Sequence, residues 1–323
     1  MPEAAIQETE PKRRHRRRAD RALLREGGAW LPRWFWPAFA APAIIWLLVF
    51  FVVPFYTVIA IAFGTIDRFR NPLPVWEPWF WTTQYVRDLW GNIFGADAFL
   101  QPTFVRTLLY VVVASAICLV VGYPVAYYAA RHAGKYRILL LILLISPFWI
   151  SYLMRMLAWV NLLATDGYVN DVLLKLHLVG QPTAWLEGKS ITVVLGLVYG
   201  YIPYMILPLF GFLDRIDTSL LEAGKDLGAS PARTFWRVTL PLSKPAILAG
   251  LVIVALPMFG DYYTNDLLSG SPKTNMIGNL INDSVFSPGQ GPLGAVLVLV
   301  LMVMLLIPMG YYVRSTTRSQ ETR

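Results

Sequence analysis

Long apolar runs almost free of charge recur along this chain, at Ala38–Gly64, Thr103–Ala130, Ile138–Met154, Ser190–Leu213, Ala246–Gly260 and Gly291–Val313. A run of roughly 20 such residues matches the thickness of a hydrocarbon core, where each backbone N–H and C=O must find a partner within the protein. Helices meet that demand segment by segment, so the pattern predicts an all-α polytopic membrane protein with six transmembrane helices. The two short runs extend through polar residues, Arg155 in one and Asp261 in the other. Composition agrees, since 56% of the 323 residues are hydrophobic and only 15% are charged.

An even number of spans puts both termini on one side of the membrane, and basic residues identify the side. The segments 1–37, 131–137, 214–245 and the tail hold 20 of the 28 Lys and Arg residues. Those segments are therefore expected in the cytoplasm. The expected organisation is a basic N-terminal arm, 1–37, a six-helix domain, 38–313, with a cytoplasmic loop at 214–245, and a tail, 314–323. Net charge +8 and the Lys12–Arg18 run suit anionic membrane lipids beside the first span rather than nucleic acid. The first apolar run is too long, and lacks the cleavage site, for a removable signal peptide. Cys118 sits alone among apolar neighbours, and His15, His132 and His177 show no metal-ligand spacing, so neither thiol nor metal chemistry is expected.

The outer segment Thr65–Pro102 is rich in aromatics, and Trp76, Trp79, Phe80, Trp81 and Trp90 are read as membrane-interface side chains. A short helix is expected around Val169–Leu178. Gly188-Lys189-Ser190 imitates the end of a phosphate-binding loop, but Thr183 stands where that loop needs its first glycine. Gly196 and Gly200, four apart, would let another helix approach closely, either within the chain or at a subunit interface.

The loop Asp214–Pro245 carries the most information. Ser219-x-x-Glu222 fits a capping box, Ser230-Pro231 supplies a cap and a first-turn proline, and Gly228 separates the two short helices they open. This stretch resembles the cytoplasmic signature of ATP-binding-cassette importer permeases: Glu-Ala-Ala, three residues, Gly, nine residues, Ile-x-Leu-Pro. Here it reads Glu222-Ala223-Gly224, Gly228, Val238-x-Leu240-Pro241, with every spacing kept and two mild substitutions. The resemblance extends from about Ala38 to Val313 and is nearest the spermidine/putrescine permeases, through LLEAGKDLGAS, Leu256–Gly270 and Asn275–Ile281. It implies that Glu222, Ala223, Gly224, Lys225, Asp226, Leu227 and Gly228, with Leu240 and Pro241 closing the loop, dock onto an ATPase. It further implies two copies of that cytosolic ATPase, an extracytoplasmic substrate-binding protein and a second permease subunit forming a heterodimer. No nucleotide-binding motif is present, so no cofactor is expected on this chain, with ATP and Mg bound by the ATPase subunits.

Pro257 and Gly260 should break the fifth helix just before Asp261, Tyr262, Tyr263 and Asp266. Irregular backbone and a carboxylate at membrane depth belong where a cavity is lined. A carboxylate beside aromatic rings suits an ammonium-bearing cargo, which makes Asp261 the principal candidate, while Tyr204, Trp149 and Trp159 fit either further lining or packing. The other reading of Asp261 is structural, at the outer boundary and either hydrated or paired with Arg155, which could equally extend outward to the interface. Opine-like solutes, phosphonates, iron or sulfate are the alternative cargoes. A self-sufficient secondary transporter would show internal repeats, and an intramembrane enzyme would show paired catalytic groups. Neither is visible.

Overall fold

The computed structural model describes residues 34–95 and 98–321, so the basic arm through Arg33 lies outside the described residues. The chain divides into two compact units, one through Thr57 and one from Val58 onward. In the first, helix α1 (Phe35–Ala62) starts and soon widens into a π-helical turn over Leu48–Val52. The Val53 N–H there reaches back to the Leu48 carbonyl, and Pro54, which has no N–H to donate, follows at once.

The second unit opens on the outer segment. A two-residue antiparallel ribbon, β1 (Thr65–Ile66) and β2 (Pro72–Leu73), is a small addition to the expected all-α architecture. Asp67 closes its turn by accepting the Asn71 amide at 2.7 Å. Helix α2 (Gln84–Phe94) buries Leu89 and Ile93 and leaves the rings of Trp90 and Phe94 exposed, 4.5 Å apart. That division, with one edge in the protein and aromatic rings outside, is what an interfacial helix requires.

Three long helices form the central packing: α3 (Gln101–Arg131), α7 (Ser190–Leu213) and α10 (Lys244–Phe259). Ala114, Cys118, Leu197, Met205, Val254 and Met258 are fully enclosed among them. In a bilayer, lipid is as apolar as these side chains, so close fit rather than expulsion of water favours the contact. Gly250 shows the fit, since a methyl group there would lie 2.6 Å from the Met205 sulfur. Helix α13 (Gly291–Glu321) joins a second cluster with Leu89, Leu100, Val296 and Leu297.

The third expected span is not one rod. Helix α4 (Arg137–Ile145) passes into a 3-10 turn at Ser146–Trp149 that contains Pro147, and the chain is extended at Ile150. Helix α5 (Tyr152–Leu163) begins afresh behind Ser151, whose hydroxyl accepts the Met154 amide at 3.3 Å. The halves diverge by 86°. Helix α6 (Tyr168–Lys175) follows, close to the expected short helix.

Beyond α7 come α8 (Thr218–Asp226), α9 (Pro231–Leu242), α11 (Tyr263–Leu268) and α12 (Ile277–Phe286). Among the described residues, four helices are long and apolar enough to cross a membrane, or up to six if each of two bent pairs counts as one span. The chain is thus a multi-pass helical membrane protein.

Candidate functional site

The loop between α7 and α10 folds as two short helices, with one correction to the expected start. Ser219 lies inside α8, and Asp217 caps it by accepting the Ser219 amide at 2.9 Å. Both residue types favour that position, but the carboxylate also meets the positive end of the helix. The Ser219 amide and hydroxyl hold the Asp217 carboxyl below the usual carboxylate range. The sign follows directly: capping is complete above the ordinary carboxylate pKa and weakens as pH falls through the depressed value. At pH 7 the Asp217→Ala variant is expected to fray the first turn of α8, read as faster amide exchange there, while Asp217→Asn keeps most of the protection.

The second helix starts as expected, with the Ser230 hydroxyl accepting the Arg233 amide at 3.3 Å and Pro231 in the first turn. Between the helices Gly228 has φ +75°, a left-handed conformation that favours glycine. Glu222, Ala223, Asp226 and Gly228 are exposed, and Leu227 beside Gly228 is 88% exposed. Lys225 lies in α8, with its side chain outside the described part. Gly224 faces inward instead, where a methyl group would come 3.2 Å from the Thr234 hydroxyl. That crowding accounts for glycine where the signature has alanine. Leu240 packs against the central core, and Pro241 is exposed on α9.

Two arginines at the adjoining ends of α3 and α4 hold this loop. Arg131 donates to the Ile216 carbonyl at 2.7 Å, and Arg137 meets Asp214 at 2.8 Å. The ion pair is half-exposed and contributes little by itself, but it fixes where the loop leaves α7.

At the other end of α10 the expected break is present. Helical pairing stops at Phe259, and Gly260 and Asp261 donate only to Pro257 and Met258 carbonyls. Asp261 is 6% exposed and surrounded by donors. Its Oδ2 accepts the hydroxyls of Tyr152 at 2.8 Å, Tyr201 at 3.0 Å and Thr264 at 2.8 Å, while Oδ1 accepts the Thr264 amide at 3.0 Å. The Tyr152 and Thr264 hydroxyls also contact each other. Such a set stabilises a buried carboxylate without any neighbouring cation.

Arg155 is not its partner. The guanidinium instead lies 4.3 Å from the Phe148 ring centre, 5.4 Å from Tyr152 and 6.0 Å from Tyr199. Its Nε and Nη1 have no hydrogen-bond partner among the described residues. The aromatic faces thus take the place that the alternative reading gave to the carboxylate. Trp159 meets Tyr199 edge-on, whereas Trp149 is 78% exposed. Tyr204 is half-exposed, with its ring 6.3 Å from that of Tyr201.

The pair Gly196 and Gly200 makes this site possible from within the chain. A methyl group on Gly196 would lie 2.4 Å from Leu268 and 2.6 Å from Thr264, and one on Gly200 would lie 2.7 Å from the Tyr152 ring. The Gly200→Val variant is accordingly expected to push Tyr152 off Asp261 and lower stability by about 1–3 kcal/mol, measured as a reduced thermal midpoint of the purified complex.

Sequence reading missed the residues that hold the outer hairpin. Arg106 donates to the Asn275 carbonyl at 2.8 and 2.5 Å and to the Lys273 carbonyl at 2.7 Å. Thr107 accepts the Ile277 amide at 2.9 Å. Asn279 donates to the Tyr262 carbonyl and to Asp266 Oδ1, at 3.1 and 2.6 Å, and the rings of Tyr262 and Tyr263 stack 4.2 Å apart. Gly278 is wedged against the break itself, where a methyl group would lie 2.7 Å from the carbonyl oxygens of Gly260 and Asp261. Among the described residues no cluster of His, Cys, Asp and Glu could hold a metal ion.

Comparison with known proteins places this geometry. Residues 102–315 match the family described as binding-protein-dependent transport system inner membrane component. The chain is 36% identical over 266 residues to the spermidine/putrescine transport system permease protein PotB of Escherichia coli (strain K12), covering 81% of this chain and 92% of that one. The PotB of Haemophilus influenzae is 33% identical, with 84% and 90% covered. A bacterial alginate ABC transporter chain in complex with its periplasmic protein superposes with a TM-score of 0.61 at 18% identity, covering 88% of this chain and 94% of that one, which shows the fold. Family members work with ATPase and substrate-binding partners in a transport complex. With about two thirds of its length matched and 36% identity to a relative over 81% of the chain, this chain belongs to the binding-protein-dependent transport system inner membrane component family.

Proposed function

We propose that this subunit passes a small organic cation, a polyamine of the spermidine or putrescine kind, through a pore it shares with a second, non-identical permease. The observation that carries the cation is Asp261: a carboxylate 6% exposed, at a helix break, ringed by the phenols of Tyr152 and Tyr201. An amine arriving there exchanges neutral hydroxyl donors for a charged one while keeping aromatic faces beside it, and both effects are strong where water is scarce. The relatives named for spermidine and putrescine transport support the same cargo.

In this reading six spans place both termini in the cytoplasm, each bent pair crossing once. Two ATPase copies bind ATP and Mg and receive α8, with Glu222, Ala223 and Leu227 at the contact. An extracytoplasmic binding protein delivers the cargo, and this chain does no bond chemistry of its own.

The decisive experiment is uptake by the reconstituted importer carrying Asp261→Asn. Uptake of labelled spermidine or putrescine is expected to fall at least about tenfold, the loss of one charge-assisted contact, with recovery of assembled complex within about twofold. Equal loss of both would return Asp261 to a purely structural role. Titration of the partner binding protein with the two polyamines tests the cargo independently.

A further inference from the structure

Behind α8, on the side away from its exposed tip, lies a cavity of about 610 Å³. Arg131, His132, Arg137, Thr234 and Thr239 line it, together with Asp214 and Glu222. Its polar groups are incompletely matched. Thr234 and Thr239 are 6% and 1% exposed, yet their hydroxyls have no partner among the described residues, and neither has Nε of Arg131. Asp214 neutralises Arg137, and Glu222 is exposed to water, whereas Arg131 meets only the neutral Ile216 carbonyl. Buried donors left without partners are costly, so the site is built for an acceptor that carries negative charge.

A second cavity of about 470 Å³ shares Tyr127, His132 and Phe235 with the first. Tyr123, Pro124 and Tyr128 complete its walls, which are almost wholly apolar. A polar chamber and an apolar cleft with a common wall, at the end of a membrane span, match one kind of molecule at both ends.

We propose that an anionic phospholipid of the cytoplasmic leaflet seats its phosphate beside Arg131, Thr234 and Thr239 and an acyl chain against Tyr123, Tyr127, Tyr128 and Phe235. The phosphate accepts the orphan donors, and the chain covers rings that would otherwise face water at the headgroup level. The lipid thereby props α8 from behind, and the inference uses only the cytoplasmic placement of the loop, not the identity of the cargo. Free phosphate has the same headgroup chemistry but nothing to fill the apolar cleft.

The test is native mass spectrometry of the complete importer after delipidation, with phosphatidylglycerol, phosphatidylcholine or inorganic phosphate added back. Phosphatidylglycerol is expected to be retained about tenfold more strongly than phosphatidylcholine, and the Thr234→Val/Thr239→Val variant, which removes two donors to a phosphate that both lipids carry, to retain both less strongly. Tyr128, 56% exposed at the edge of the cleft, can be replaced without disturbing the core. Tyr128→Ala is expected to lower retention of both lipids, and it decides alone if the double variant fails to assemble. Equal retention of the two lipids by the wild type overturns the proposal, as does retention unchanged in Tyr128→Ala. Inorganic phosphate that displaces phosphatidylglycerol would assign the polar cavity to the free ion and overturn the lipid.

Discussion

The Gly278→Val variant is expected to leave little assembled permease in the membrane. At that position even one added carbon lies 2.7 Å from two backbone oxygens and 2.8 Å from the Gly260 carbonyl carbon, and backbone cannot rotate out of the way as a side chain can. Either α12 withdraws or the turn at Gly260–Asp261 opens. Both outcomes separate Asn279 from Tyr262 and Asp266 and disturb the four bonds on Asp261. Overpacking of this kind costs about 1–3 kcal/mol where side chains can adapt, and more is expected against backbone. Recovery of monodisperse complex from detergent reports it, with Gly310→Ala as the control, since nothing lies within 4 Å of a methyl group there. Near-normal recovery of Gly278→Val would mean that the hairpin does not pack on the break as described.

Transport without loss of assembly is the expected failure in the Gly228→Val variant. A β-branched residue at φ +75° is strained by roughly 1–2 kcal/mol, which the two short helices relieve by changing the angle at which α8 meets its partner. Leu227, the most exposed large apolar side chain of the loop, moves with that angle. Uptake and transport-stimulated ATP hydrolysis should fall together by at least about tenfold while insertion and thermal stability stay near wild type. The Glu222→Ala variant should act in the same direction and less strongly, because its side chain is exposed and its removal leaves the backbone unstrained. Uptake unchanged in both variants would remove this loop from the coupling path.

These two glycines also mark how far the sequence could be read. Gly228 was legible because its role is local: a turn between two capped helices, readable from Ser230-Pro231 on one side and the Ser219-x-x-Glu222 pattern on the other. Gly278 was not, because what crowds it comes from another element. The same division runs through the site at Asp261. Pro257 and Gly260 announced the break, but the donors that satisfy Asp261 come from Tyr152 and Tyr201, 109 and 60 residues away, and no local pattern links them. The alternative that paired Asp261 with Arg155 failed for a related reason, since charge opposition can be read from letters and three aromatic faces converging on a guanidinium cannot. At α8 two capping residues stood two apart, and the pattern chose Ser219 over Asp217 because only the former completes a box with Glu222. In the third span, the apolar run hid a bend of 86°, since hydropathy counts residues and does not register that Ser151 restarts the helix.

The fastening of α3 at both ends has a mechanical corollary. Near its N-terminal end Arg106 grips the carbonyls of Lys273 and Asn275, and at its C-terminal end Arg131 grips that of Ile216. A helix of 31 residues is a stiff strut roughly 45 Å long. If the C-terminal grip is displaced while the middle stays pinned against α7, the strut pivots, and a tilt of about 5° carries each end through roughly 2 Å in opposite senses. Shifts of that size exceed the slack in any of the four bonds on Asp261. A push on the 214–245 loop would then reach the hairpin as a pull on its backbone, delivered by leverage.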